Sequence, residues 1–217
     1  MFDHLEDKAH SIMVEQYLKL LKKSFDYHDL RVEEPYDYYG YRGRVDIVCY
    51  FTLDDPEEKF DVLSVFEIKT KIWNLQGELG KFKEYAEYFT KTFIEKKGIS
   101  PDWYWNNLIL LDTKENRELV FNYWDTFGSV FEPRKKVIKA EYQLTPTHPT
   151  SLEPILKNNF LFFYDPIKNK SVPVIFGKLI RNGKEVDTKE EILREWQFLN
   201  PKDFLKTWTC QKDEGLI

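Results

Sequence analysis

The chain has 217 residues, 32% charged and 17% aromatic, with a formal net charge of -5 and a mean hydropathy of -0.56. That length and aromatic content can fill one sizeable core, and no apolar run approaches the roughly 18 residues of a membrane helix. Two cysteines, Cys49 and Cys210, exclude a disulfide framework and a cysteine-based zinc site. The acidic start, Met-Phe-Asp-His-Leu-Glu-Asp, lacks the basic and apolar regions of a signal peptide, so the expectation is an intracellular, cytoplasmic protein.

Asp3 with Glu6 reads as a capping box, opening a helix from about Leu5 to Phe25. Ile12, Met13, Leu20 and Leu21 form its apolar face, and Lys8, Ser11, Glu15, Lys19 and Lys22 follow a polar stripe. Leu30 to Tyr38 predicts a strand. The turn signal Tyr39-Gly40-Tyr41-Arg42-Gly43 leads into a second strand, Arg44 to Phe51. An acidic loop from Leu53 to Lys59 precedes a third strand, Asp61 to Thr70.

These strands carry the chemistry. Asp46 interrupts the apolar run Val45-Asp46-Ile47-Val48, and Glu67-Ile68-Lys69 interrupts the next. Period two places Glu67 and Lys69 on one face and Ile68 on the other. Carboxylate oxygens are the hard ligands that hold Mg²⁺ or Mn²⁺, and a lysine beside them can hold and polarise an attacking water. An ordinary same-face Glu–Lys pair on a half-exposed strand explains Glu67 and Lys69, but not why Asp46 also breaks an apolar run. Arg42 and Arg44 flank Gly43 and are candidate phosphate contacts, or simple hairpin-end charges. Lys71 and Trp73 follow Lys69 and either line the path of a nucleic-acid strand or pack.

Asn74 begins a second helix, from about Leu75 to Lys97, with the stripe Leu75, Leu79, Phe82, Ala86, Phe89 and Phe93. Gly98 and Pro101 close it. Trp103-Tyr104-Trp105 either stacks bases or packs the loop before a fourth strand, Asn107 to Leu111. Glu115 to Trp124 reads as a third helix. Beyond Pro133, Lys136 to Leu144 and Phe160 to Tyr164 predict strands; the latter run is a buried strand or an interface. Arg181-Asn182-Gly183-Lys184 marks a hairpin between Val174–Ile180 and a return strand. Thr188 with Glu191 caps a helix to about Leu199, ended by Asn200-Pro201. The acidic excess is confined to residues 1–130, and residues 131–217 carry more basic than acidic side chains. The four histidines, His4, His10, His28 and His148, show no ligand spacing.

The element order, with Arg44-Val45-Asp46-Ile47, Glu67-Ile68-Lys69 and the amphipathic helix directly after, resembles the PD-(D/E)xK nuclease superfamily. The resemblance covers about residues 5–130, with Val45 standing where the family's leading proline sits. It implies an α/β fold with a central mixed β-sheet flanked by helices, the restriction-endonuclease-like core. Residues 1–130 would form that core, and residues 131–217 a C-terminal α+β extension packed on it within one domain; the Pro-rich stretch Leu144 to Pro154 is the candidate boundary or ordered connecting loop. The resemblance also implies Asp46 and Glu67 as metal ligands, the Ile68 carbonyl as a third, and Lys69 as the catalytic lysine. In the family a first-helix glutamate often joins the metal site, which makes Glu15 a candidate; a solvated glutamate beside Lys19 is the other reading. A family subset carries Gln-x3-Tyr after the lysine. Here Lys81 and Tyr85 occupy that spacing, and Gln76 is the alternative partner.

The expected activity is Mg²⁺- or Mn²⁺-dependent hydrolysis of DNA, leaving 5′-phosphate and 3′-hydroxyl ends, on a junction, flap, end or duplex. A homodimer is expected, because cutting two strands takes two sites and the chain holds one Asp-Glu-Lys set. The alternatives are a non-cleaving nucleic-acid-binding or assembly protein on the same fold, and an unrelated α/β interaction protein.

Overall fold

The structure, a computed structural model, describes residues 3–54, 59–131, 156–181 and 184–194. Helix α1, Asp3–Ser24, is followed by β1, Tyr27–Tyr38, β2, Tyr41–Asp54, and β3, Lys59–Lys69. Helix α2, Leu75–Glu87, runs without a break into a π-helical segment, Tyr88–Phe93, and a last turn α3, Ile94–Lys97. Then come β4, Trp103–Leu111, α4, Lys114–Asn122, α5, Trp124–Phe131, β5, Leu156–Asp165, and β6, Lys170–Val174. Strands β7, Lys178–Arg181, and β8, Lys184–Asp187, precede α6, Thr188–Arg194. The fold is α/β. Strands β1 to β6 form one six-stranded sheet in sequence order, and β7–β8 a separate ribbon. The sheet is mixed: β1, β2 and β3 pair antiparallel, β3, β4 and β5 parallel, and β5–β6 antiparallel. Strands from both sides of the expected boundary near residue 130 thus share one sheet. Among the described residues, no helix is long and apolar enough to cross a membrane.

Both faces are covered. Met13, Val14, Tyr17 and Leu21 of α1 pack on Ile47, Cys49, Phe51, Phe66, Ile68 and Ile109. On the opposite face Tyr85, Tyr88, Phe89 and Phe93 pack on Val48, Leu63, Val65 and Tyr104. Beside them Phe82, Phe127 and Phe131 meet Leu108, Leu110, Leu161 and Phe163. The run Phe160–Tyr164 is accordingly a strand between β4 and β6, with Leu161, Phe163 and Tyr164 buried.

The local chemistry explains most boundaries. Tyr38 pairs with Tyr41 across Tyr39-Gly40, whose φ values are 49 and 86. Positive φ at both central residues is the hairpin turn whose twist matches its strands. The second strand therefore starts at Tyr41, three residues before the position expected. Gly43 lies inside it, where a Cβ would come 2.8 Å from the Tyr36 ring; the missing side chain lets that ring cross the strand. The Asn74 side chain accepts from the Gly77 N–H at 3.1 Å to start α2, and Gly98, at φ 63, closes α3.

Four sequence expectations are corrected. Trp103, Tyr104 and Trp105 belong to β4, not to a preceding loop, and Trp103 and Tyr104 are buried against the neighbouring strands and helices. The helix after Asn74 contains a π segment. The expected third helix is two, α4 and α5. The expected strand Val174–Ile180 breaks at Gly177, whose φ is 114, and its carbonyl accepts the Thr188 hydroxyl at 2.6 Å. The strand expected at Lys136–Leu144, the Pro-rich stretch to Pro154, the Asn182-Gly183 turn and the helix end near Leu199 lie outside the described residues. So do the side chains of Asp3, Glu6 and Glu191.

The buried aromatics predict the alkaline limit of stability. Burial raises the phenols of Tyr17, Tyr85, Tyr104 and Tyr164 above the ordinary 10.0. Above pH 10 the unfolded chain sheds these protons while the folded chain keeps them, so stability falls as pH rises. The loss approaches about 1.4 kcal/mol per tyrosine per pH unit. Burial raises the Cys49 thiol above its ordinary 9.0 as well, so urea denaturation from about pH 8 to 11 should show a decline that sets in near pH 9 and steepens near pH 10; a flat profile would contradict it.

Candidate functional site

Asp46, Glu67 and Lys69 come together at the C-terminal end of β3, where β2 parts from it. The β2–β3 ladder runs from Asp54 opposite Lys59 to Ile47 opposite Phe66 and ends there. Opposite the break, Glu33 of β1 has φ 56, and its neighbours pair on without it. Val45 packs in the cluster beneath α2 and the π segment, whereas Ile47 packs beneath α1. Strict alternation would keep residues i and i+2 on one face, so β2 turns over at Asp46. The alternation argument places Glu67 and Lys69 correctly, but Asp46 stands at this irregularity, not on a regular pleat.

The carboxylate completes what the ladder leaves open. Ile68 N–H, past the last β2–β3 pair, donates to Asp46 Oδ2 at 2.6 Å. A buried amide without a partner costs about as much as a lost hydrogen bond, so Asp46 closes the sheet as well as facing the site. Its other oxygen, Oδ1, lies 3.2 Å from Nε2 of His10 on α1. That hydrogen bond raises the His10 pKa above its usual 6.5, against the opposing effect of burial.

Glu67 is only 3% exposed. Its Oε1 lies 2.7 Å from Lys69 Nζ and 3.9 Å from Lys81 Nζ, and its Oε2 accepts from the Tyr85 hydroxyl at 3.0 Å. Burial raises the Glu67 carboxyl, and the Asp46 charge raises it further, while Lys69 pulls it down. For Lys69, burial alone would lower the ammonium; the adjacent Glu67 and Glu78 carboxylates outweigh that and raise it. Lys69 thus stays cationic between Glu67 and Glu78, the latter 3.8 Å away.

The remaining candidates separate into two groups. Lys81 and Tyr85, one helical turn apart on α2, both reach Glu67. Glu15 is exposed on α1 and paired with Lys19 at 3.0 Å. Arg42 is exposed and bonded to Asp37 at 2.8 Å; Arg44 and Gln76 are exposed as well. Lys71 lies over the Trp73 ring, 4.2 Å from its centroid. The residue the sequence did not single out is His10. It sits five positions before Glu15 on the same helix, and no spacing rule links it to Asp46, 36 positions away.

Among the described residues, no group of three or more His, Cys, Asp and Glu side chains is disposed to hold a metal ion. A cation here would rest on the two carboxylates, with backbone and water completing its shell. The donor set suits that demand. Mg²⁺ keeps several waters and is commonly bound through one or two carboxylates, and Asp46 and Glu67 are buried hard-oxygen donors with lone pairs to spare. No family model, curated protein or solved structure matches this chain.

Tyr85 orients Glu67, and its hydroxyl is the testable part of that role. Tyr85→Phe removes one donor from the carboxylate and leaves the ring packed against Tyr36, 5.0 Å away. Partners of this kind are typically worth 10–100-fold in metal affinity or activity. For a metal-dependent activity at this site the expected result is a loss in that range with a modestly lower melting temperature, because a buried carboxylate loses a donor; unaltered metal affinity and activity would remove Tyr85 from the site.

Proposed function

We propose that this chain is a metal-dependent deoxyribonuclease of the PD-(D/E)xK type, with a restriction-endonuclease-like core. The observation that carries the reading is the buried Glu67 carboxylate, in contact with Lys69 and close enough to Asp46 to feel its charge. A single purely structural Glu–Lys pair has no use for a second buried carboxylate beside it.

Asp46 and Glu67 would hold Mg²⁺ or Mn²⁺, with the Ile68 carbonyl as a further ligand. Bound there, such an ion supplies a Lewis acid for a phosphoryl oxygen and lowers the pKa of a coordinated water. Lys69 orients the attacking water and offsets the negative charge that develops on the phosphate. Tyr85 and His10 hold the two carboxylates in place, one from α2 and one from α1. Lys81 adds positive charge on the side of the incoming strand. A homodimer would bring two such sites to the two strands of one substrate, a state that light scattering measures.

The deciding experiment is cleavage of a panel of linear, circular, flap and junction DNAs with and without Mg²⁺ or Mn²⁺. Binding without cleavage on every substrate would favour the non-cleaving assembly protein instead. In parallel, millimolar Mg²⁺ or Mn²⁺ should raise the melting temperature, since an ion that binds only the folded chain stabilises it. The shift should vanish in Glu67→Gln. No shift in a protein that still cleaves DNA would contradict the assigned ligands.

A further inference from the structure

Trp73 is 72% exposed. The other described tryptophans, Trp103, Trp105 and Trp124, are buried or partly buried. The exposure is built in on both sides of the residue. Thr70 carbonyl accepts from the Asn116 side chain at 2.8 Å, Ile72 is buried in the core, and Asn74 caps α2. Trp73 therefore stands out from a segment anchored before and after it. Lys71 covers one face of the indole, its Nζ 4.2 Å from the ring centroid, which leaves the other face open. Trp73 follows Lys69 by four positions, so their Cα atoms lie within about 14 Å, the length of about four stacked base steps.

We propose that Trp73, backed by Lys71, is a stacking platform for an unpaired nucleobase next to the scissile phosphate. The inference rests on the nuclease reading and narrows its substrate to DNA with a single-stranded end, flap or gap at the site. A base inside a continuous duplex already has both faces stacked and cannot use an exposed indole. An unpaired base can, whatever its identity, because every base has a π-face. The ammonium on the far side of the ring adds the charge that a phosphate backbone seeks.

The test is fluorescence anisotropy in EDTA, with a labelled oligothymidylate and a blunt hairpin duplex as probes. Stacking on an aromatic side chain is worth enough that Trp73→Ala should weaken oligothymidylate binding about tenfold or more. Trp73→Phe should retain most of the affinity, and duplex binding and melting temperature should not change in either variant. Unchanged oligothymidylate affinity in Trp73→Ala overturns the proposal. So does an equal loss on the duplex, or no oligothymidylate binding by the unaltered protein. Cleavage of the same probes with Mg²⁺ and Mn²⁺ keeps the two readings apart. Trp73-dependent binding without cleavage defeats the nuclease reading and leaves Trp73 as a base-stacking platform with no scissile phosphate beside it. Cleavage with Trp73-independent binding defeats only the platform.

Discussion

Asp46→Asn and Glu67→Gln should each reduce the proposed DNA cleavage by about 10²–10³-fold while leaving the chain folded, on the scale of losing a group that acts on the developing charge. The amides are the informative replacements. Asp46 accepts the Ile68 N–H at 2.6 Å, and alanine would leave that buried amide without a partner, a cost of about 1–3 kcal/mol unrelated to catalysis. Asparagine keeps an acceptor oxygen and removes the charge. Glutamine at 67 likewise keeps an acceptor for the Tyr85 hydroxyl, and it relieves the repulsion from Asp46 that helps raise the Glu67 carboxyl. Lys69→Ala should fall as far in rate, about 10²–10³-fold. Single-turnover cleavage with melting curves separates rate from folding, and activity within tenfold of the unaltered protein in both amide variants would sink the assignment.

The largest loss of stability should come from a residue outside the site. Arg117 is 1% exposed and holds Asp112 through two hydrogen bonds, the Nη2–Oδ2 contact at 2.8 Å. Its Nη1 donates to the Ile192 carbonyl of α6 at 3.0 Å, and the guanidinium lies 4.4 Å from the Phe163 ring centroid. One side chain thereby ties α4, β5 and α6 together. Arg117→Ala strands the Asp112 charge at a buried position, and breaking such a pair from one side costs about 3–5 kcal/mol. Replacing both partners by apolar residues of similar volume, as in Arg117→Met with Asp112→Leu, should recover most of that loss. Urea denaturation measures both variants; a single mutant within about 1 kcal/mol of the unaltered protein would show the pair to be dispensable.

The site was legible where it depends on neighbours in sequence. Glu67 and Lys69 share a face because of strand period alone, and Asn74 and Gly98 mark a helix through the polar groups each end must satisfy. Lys81 and Tyr85 meet Glu67 because a turn of helix puts them on one side. His10 was not legible, since its contact with Asp46 is made only when α1 packs on the sheet. Trp103 to Trp105 hid in the same way. A parallel strand covered on both faces shows no alternation to read, and three aromatics resemble a loop cluster until the strand beside them is known. The π segment keeps the apolar stripe Phe89 and Phe93 of an ordinary helix, so the extra residue in its turn leaves no mark on the spacing. The turn-over of β2 at Asp46 lies opposite Glu33 of the neighbouring strand, an irregularity that no reading of β2 alone would supply.

Most strand amides in a sheet are guarded by another strand and report only on the opening of the sheet. The Ile68 amide is guarded by a carboxylate. Its exchange with solvent deuterium should therefore respond to the release of that carboxylate as well as to the opening of the sheet around a fully buried residue. A change in the bonding of Asp46 should thus be felt at one backbone amide, without a substrate or a substitution.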